Sequence, residues 1–67
     1  MTNLGWRIRR LRRDRGWTQV ELAAEVGVQR FTVGRWEAGI DVPKLAQASR
    51  LADAFRCSID WLAGRVL

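Results

Sequence analysis

Histidine is absent from this 67-residue chain, and cysteine occurs once, as Cys57. A lone cysteine forms no internal disulfide, and one cysteine without histidine does not make a structural zinc site. No nucleophile stands paired with a base, and there is no metal cluster or phosphate-cradling glycine loop. An enzyme is therefore not expected, nor is a metal or other cofactor. No apolar run approaches the ~20 residues that span a bilayer. The N-terminus lacks the apolar core of a signal peptide. The free cysteine fits a reducing compartment, so the expected location is the cytoplasm. Repeats, linkers and low-complexity segments are also missing.

What is present is a short chain with large apolar side chains and an uneven charge. The length allows one domain, residues 1–67. A domain this small buries only roughly 60% of its unfolded surface. With no staple available, a helical core carries the stability, and dimerisation can add to it. The net charge is +5. Residues 1–15 hold six arginines and one aspartate, whereas residues 16–67 are balanced. Such a basic end favours polyanions, either nucleic acid or an anionic membrane surface. A membrane-active peptide would need a free apolar helix face, and here that face is used for the core.

The apolar spacing predicts five helices and no strand. The first spans about Asn3 to Arg15, with Thr2 or Asn3 as cap. Leu4, Ile8 and Leu11 share one face, and Trp6, Arg9, Arg10 and Arg13 the other. Gly16 ends it, and Trp17 is expected in the core. Thr18 and Glu21 form a T-x-x-E capping box for a second helix, about Gln19 to Val26. Gly27 gives the freedom for a sharp turn. A third helix follows, from about Gln29 to Glu37. Pro43 suits the first position of a fourth helix, whose buried stripe is Ala48, Leu51, Ala52 and Phe55, with Leu45 near one end. Ser58 caps a fifth, with Ile59, Trp61 and Leu62. Cys57 reads as a small core residue.

The stretch from Thr18 to Ala38 stands out. Leu22, Ala23 and Val26 on one helix, Val28 after the turn, and Val33 and Trp36 on the next helix face inward. Ala23 lies where the two helices approach most closely. Left facing outward are Arg30, Phe31, Gly34 and Arg35, in place of a solvated Glu/Lys mixture. An α-helix fits the DNA major groove. Arg30 and Arg35 can each form a bidentate pair with guanine, worth about 1–3 kcal/mol of discrimination. Gln29 can pair with adenine or a phosphate. Phe31 can press on a thymine methyl; its alternative is a core contact. Gly34 costs the helix about 1 kcal/mol relative to alanine, which suits either close approach to the groove wall or a tolerant site. Trp6 has three possible settings: under an arginine guanidinium, against the C-terminal tail or a partner, or partly buried within the monomer.

T-Q-x-E-L-A at Thr18–Ala23, Gly27, Val33, W-E-x-G at Trp36–Gly39, Pro43 and S-I-D-W-L-A-G at Ser58–Gly64 together resemble the Cro/C1-type helix-turn-helix family. The likeness spans nearly the whole chain. It implies an all-α, compact, five-helix lambda-repressor-like domain with its helix-turn-helix core at 18–38. It also implies a sequence-specific regulator of transcription, a repressor by first expectation, in a bacterial or phage-infected cell. Such a protein binds a pseudo-palindromic operator as a homodimer, with the third helix in the major groove. Gln29, Arg30, Phe31 and Arg35 match the family's base readers. Gln19 matches a residue that bonds a phosphate and often braces a base-contacting side chain. Thr18, Thr32, Lys44 and Arg10 are further phosphate candidates, with capping the simpler role for Thr18. Arg12 and Glu37 match a paired Arg and Glu beneath the recognition helix. Trp61, Val66 and Leu67 are candidates for the dimer surface. The starting methionine and the capped five-helix plan are expected of a complete protein.

Two stretches depart from the family pattern. The loop after W-E-x-G, commonly basic, is here Ile40-Asp41-Val42, and Asp41 is expected to repel the DNA backbone unless Lys44 compensates. Position 38, often asparagine, is Ala38. Apolar Ile40 and Val42, with Trp6, support a second expectation: a protein-interaction module on the same fold, such as an antitoxin or adaptor.

Overall fold

A computed structural model describes residues 4–58 and Leu62. Among these, four α-helices follow one another: α1 (Leu4–Asp14), α2 (Gln19–Val26), α3 (Arg30–Glu37) and α4 (Leu45–Phe55). No strand occurs among the described residues. The chain is all-α, as the apolar spacing predicts. The fifth helix falls almost wholly outside the described residues. Leu62 is the exception: it is buried, and its amide donates to the Ser58 carbonyl at 3.0 Å. The proposed caps Thr2 and Asn3, and the dimer candidates Trp61, Val66 and Leu67, also lie outside them.

The helices form where local chemistry asks for them. Thr18 Oγ1 accepts from the Glu21 amide at 3.1 Å, and the Glu21 carboxylate accepts from the Thr18 amide at 2.8 Å. That reciprocal box satisfies two of the orphan donors at the start of α2. Gly27, at φ +73°, then lets the chain leave α2 in the left-handed conformation, with the Val28 amide bonded back to the Ala23 carbonyl at 3.0 Å. A side chain with a Cβ pays a steric penalty there.

The start of α4 differs from the expectation. Pro43 is not its first residue; Lys44 is the cap and Leu45 opens the helix. The physical reason is Gln47, whose side-chain oxygen accepts from the Lys44 amide at 2.9 Å and fixes the entry one residue beyond the proline. Leu45, in a first turn that the core does not reach, is 77% exposed and is not part of the buried stripe. Ala48 is half-buried, while Leu51, Ala52 and Phe55 are buried as the spacing predicts.

The core joins Ile8 of α1, Leu22, Ala23 and Val26 of α2, Val33 and Trp36 of α3, Leu51 and Phe55 of α4, and Leu62. Leu4, Leu11, Trp17, Val28 and Cys57 are partly buried against it. Trp17 stacks on Phe55 with ring centroids 6.0 Å apart. Helix α3 packs on both α1 and α2, and α2 on α4. The α1–α3 contact is made at Gly5, where a Cβ would collide with the Trp36 carbonyl oxygen and lie 2.9 Å from that of Glu37. Backbone therefore rests on backbone at that point.

The end of α4 is closed in an unexpected way. Arg56 takes the left-handed conformation at φ 55°, which in α1, α2 and α3 is left to Gly16, Gly27 and Gly39. Arg15, from the end of α1, donates Nη1 to the Ala54 carbonyl at 3.1 Å and Nη2 to that of Phe55. One of the basic segment's arginines thus serves as a clamp on the C-terminal carbonyls of α4.

Candidate nucleic-acid interface

Helix α3 divides cleanly into two faces. Val33 and Trp36 are buried, and they plug the helix onto the body. Arg30 and Phe31 are exposed, Phe31 to 68%, and Arg35 is half-exposed. Gln29 sits just before α3 in extended conformation, with no side-chain capping bond. Its amide group is left for other partners.

Beneath α3 lies a connected polar network. Arg12 of α1 forms a two-point pair with Glu37, Nε to Oε2 at 2.7 Å and Nη2 to Oε1 at 3.1 Å. Arg12 Nη1 also donates to the Trp17 carbonyl at 2.8 Å. Gln19 Nε2 donates to Glu37 Oε1 at 3.2 Å. The pair is well covered, with side-chain exposures of 12% for Arg12 and 6% for Glu37. Such a pair adds little net stability but punishes the loss of one member. Here it ties α1, the first residue of α2 and the last residue of α3 to one carboxylate. Gln19 is braced by Glu37, not against a base-reading candidate.

Gln19, Arg30, Phe31, Gly34, Arg35 and Ile40 line one shallow concavity of about 210 Å³. Four of the proposed contact residues therefore come together. Gly34 is among its lining residues, and a Cβ there would only touch Gln19 Oε1, at 4.0 Å. Thr32 is half-buried on α3, and Thr18 is engaged as the α2 cap. Lys44 is exposed at the start of α4.

The arginines of α1 separate into groups. Arg9 lines a second concavity with Arg12, Gln19, Gly34, Glu37 and Ala38, next to the first. Arg10, the residue proposed from sequence, instead lies over the Trp6 ring at 5.5 Å and 4.0 Å from Asp14. Trp6 is 54% exposed beneath that guanidinium. Helical spacing alone puts Arg9 and Arg10 on one broad basic face. Only the packing of α1 on α3 tells which of them stands beside Gln19.

Asp41 is exposed but is not an unpaired carboxylate. It accepts from Arg35 Nε at 2.5 Å. The hydrogen bond from Arg35 holds its carboxyl below the usual carboxylate range, and Asp41 in turn raises the Arg35 guanidinium. Arg35 also lies over the Phe31 ring, 5.4 Å from its centroid. The expected repulsive charge is thus neutralised within the chain by a residue of α3.

A family model described as helix-turn-helix matches residues 8–62. The cryptic phage CTXphi transcriptional repressor RstR of Vibrio cholerae serotype O1 is 35% identical over 48 residues, 72% of this chain and 43% of RstR. The chain thus spans less than half the length of that relative. Among solved structures, the P22 c2 repressor in complex with a synthetic operator matches with a TM-score of 0.92 at 29% identity, over 98% of this chain and 100% of that one. The DNA-binding domain of the same repressor in solution matches with a TM-score of 0.85 at 31% identity, over 92% and 84% of the two chains. With its match running from α1 through both helices of the motif to Leu62, the chain belongs to the Cro/C1-type helix-turn-helix family.

Proposed function

We propose that this chain is a sequence-specific repressor that enters the major groove of duplex DNA with α3. Gln29, Arg30, Phe31 and Arg35 read base edges. Gln19, with the N-terminus of α2, binds a phosphate. Arg9 is added to the phosphate contacts because it stands beside Gln19. Thr32 and Lys44 remain phosphate candidates, and Arg10 contributes long-range attraction. Two chains, each a single domain, act as a homodimer on half-sites about one helical turn apart. The protein works in the cytoplasm of a bacterial or phage-infected cell. Among the described residues no helix is long and apolar enough to cross a membrane.

The observation that carries this reading is the division of α3. Its inner residues are fixed in the core, and its outer residues are two arginines and an aromatic ring in place of an ordinary solvated face. The relatives add weight: RstR is a phage transcriptional repressor, and P22 c2 repressor is known bound to an operator. Selection from random duplexes at low salt, with binding of the recovered sequence repeated at two salt concentrations, tests it. The expected result is an enriched palindrome whose affinity falls steeply with salt. No enrichment together with a flat salt response would sink the proposal.

One observation favours a second reading. Ile40, Val42 and Leu45 are all exposed just past α3. A protein-interaction module would use them, and it is the reading left standing if the salt response is flat.

A further inference from the structure

Arg35 is held from two directions. Its own carbonyl accepts the Ile40 amide at 3.0 Å and the Asp41 amide at 3.3 Å. Gly39, at φ +76°, reverses the chain so that both amides reach back. That turn brings the Asp41 carboxylate against Arg35 Nε. One helical turn earlier on α3, the Phe31 ring lies beneath the same guanidinium, its centroid 5.4 Å from Cζ. A guanidinium has a side edge, containing Nε, and an end edge, formed by Nη1 and Nη2. Asp41 occupies the side. Among the described residues no hydrogen bond engages the end edge of Arg35. That edge carries the parallel N–H pair that matches guanine O6 and N7.

We infer that Asp41 is a positioning residue for base recognition, fixing Arg35 against Phe31 so that its Nη1–Nη2 edge is presented to a guanine. The assignment rests on the reading that Arg35 contacts a base. The geometry gives Asp41 the opposite of the role its charge suggests on the bare sequence. A carboxylate beside DNA repels phosphates, but one paired with Arg35 leaves the pair neutral and its remaining donors aimed. The gain comes from order. An unrestrained arginine loses its rotamer freedom when it binds, and a restrained one has lost most of it already.

The test is random-duplex selection and sequencing with the unchanged chain, Asp41→Ala, Arg35→Ala and the double variant. Asp41 is exposed, so Asp41→Ala is expected to fold, which a melting curve checks. The expected result for Asp41→Ala is a loss of preference for guanine at one position per half-site, by roughly two- to tenfold, the equivalent of ordering one long side chain. Affinity for random duplex is expected to stay level or rise, since a negative charge has gone. In the Arg35→Ala background, Asp41→Ala is expected to change no base preference. If Asp41→Ala keeps or sharpens the guanine preference while Arg35→Ala abolishes it, Asp41 is a competitor or a bystander and the inference is overturned alone. If Arg35→Ala leaves every preference unaltered, Arg35 reads no base, and both the reading and the inference fall.

Discussion

Gly5 has no side chain, and that is its contribution. Any Cβ at this position meets the carbonyl oxygens of Trp36 and Glu37, which are backbone of α3, so one of the two helices must shift. Gly5→Ala is expected to cost about 1–3 kcal/mol, in line with overpacking elsewhere. In a domain this size that lowers the melting temperature by at least about 4 °C. A melting curve indistinguishable from that of the unchanged chain would show that α1 shifts freely on α3. Cys57 offers a second check at this scale. Burial pushes its thiol up, with the charge of Arg15 opposing more weakly. The thiolate is the reactive form, so alkylation by iodoacetamide at pH 8 is expected to be slower in the folded chain than in the chain unfolded by urea. Its rate should rise at a higher pH than for the unfolded thiol. Equal rates and equal pH profiles would mean that burial does not reach the sulfur.

Neither Gly5 nor Arg56 announces itself in the sequence. The capping box at Thr18, the turn at Gly27 and the inward set of α2 and α3 are local patterns, set by neighbours three or four positions away, and they read correctly. The contact at Gly5 exists only because α1 and α3 meet, thirty residues apart along the chain. Arg56 ends its helix in a conformation that usually signals glycine, so nothing at that position marks it. Arg9 and Arg10 are indistinguishable in the sequence for the same reason: their difference lies in what α1 packs against. Asp41 reads as a liability in the bare sequence because its partner, Arg35, is reached through a turn of backbone that composition does not reveal. Leu45 fits the apolar spacing of α4, and only the fold shows that the core stops short of its first turn.

At the scale of the element, α3 is held by side chains of two other helices, α1 and α2, through its own Glu37 carboxylate. Replacing Arg12 leaves Glu37 covered and without its cation. Arg12→Met is therefore expected to cost about 3–5 kcal/mol. That is at least about 12 °C in melting temperature for a domain of this size. DNA affinity should fall with it as the angle of α3 loosens. The double change Arg12→Met with Glu37→Met removes the buried charge altogether and is expected to recover most of the stability. The two variants separate stability from recognition: if α3 is aimed by the pair, the double variant melts well but binds DNA poorly. A double variant with full stability and full affinity would show that Val33 and Trp36 alone set the angle.

For the molecule as a whole, the excess charge lies in α1 and its flanks, but its members have different duties. Arg12 and Arg15 are committed inside the fold, to Glu37 and to the end of α4. Arg10 covers Trp6. Arg9 stands with Gln19 on the side of α3. If salt dependence counts phosphate contacts, Arg9→Gln is expected to reduce the slope of log affinity against log salt by about 0.9 per protomer. Arg10→Gln is expected to leave the slope nearly unchanged. Equal slopes for the two variants would return the whole basic face to a diffuse attraction.

The division of α3 also says how such a protein can change its target. The residues that secure the helix, Val33, Trp36 and Glu37, are different residues from those proposed to read, Gln29, Arg30, Phe31 and Arg35. A lineage can therefore revise the second set while inheriting the first intact, and meet a new operator without refounding its architecture. Asp41 marks where that independence ends: a descendant that exchanges Arg35 inherits an acidic neighbour with no cation to occupy it, so these two positions are expected to change hands together.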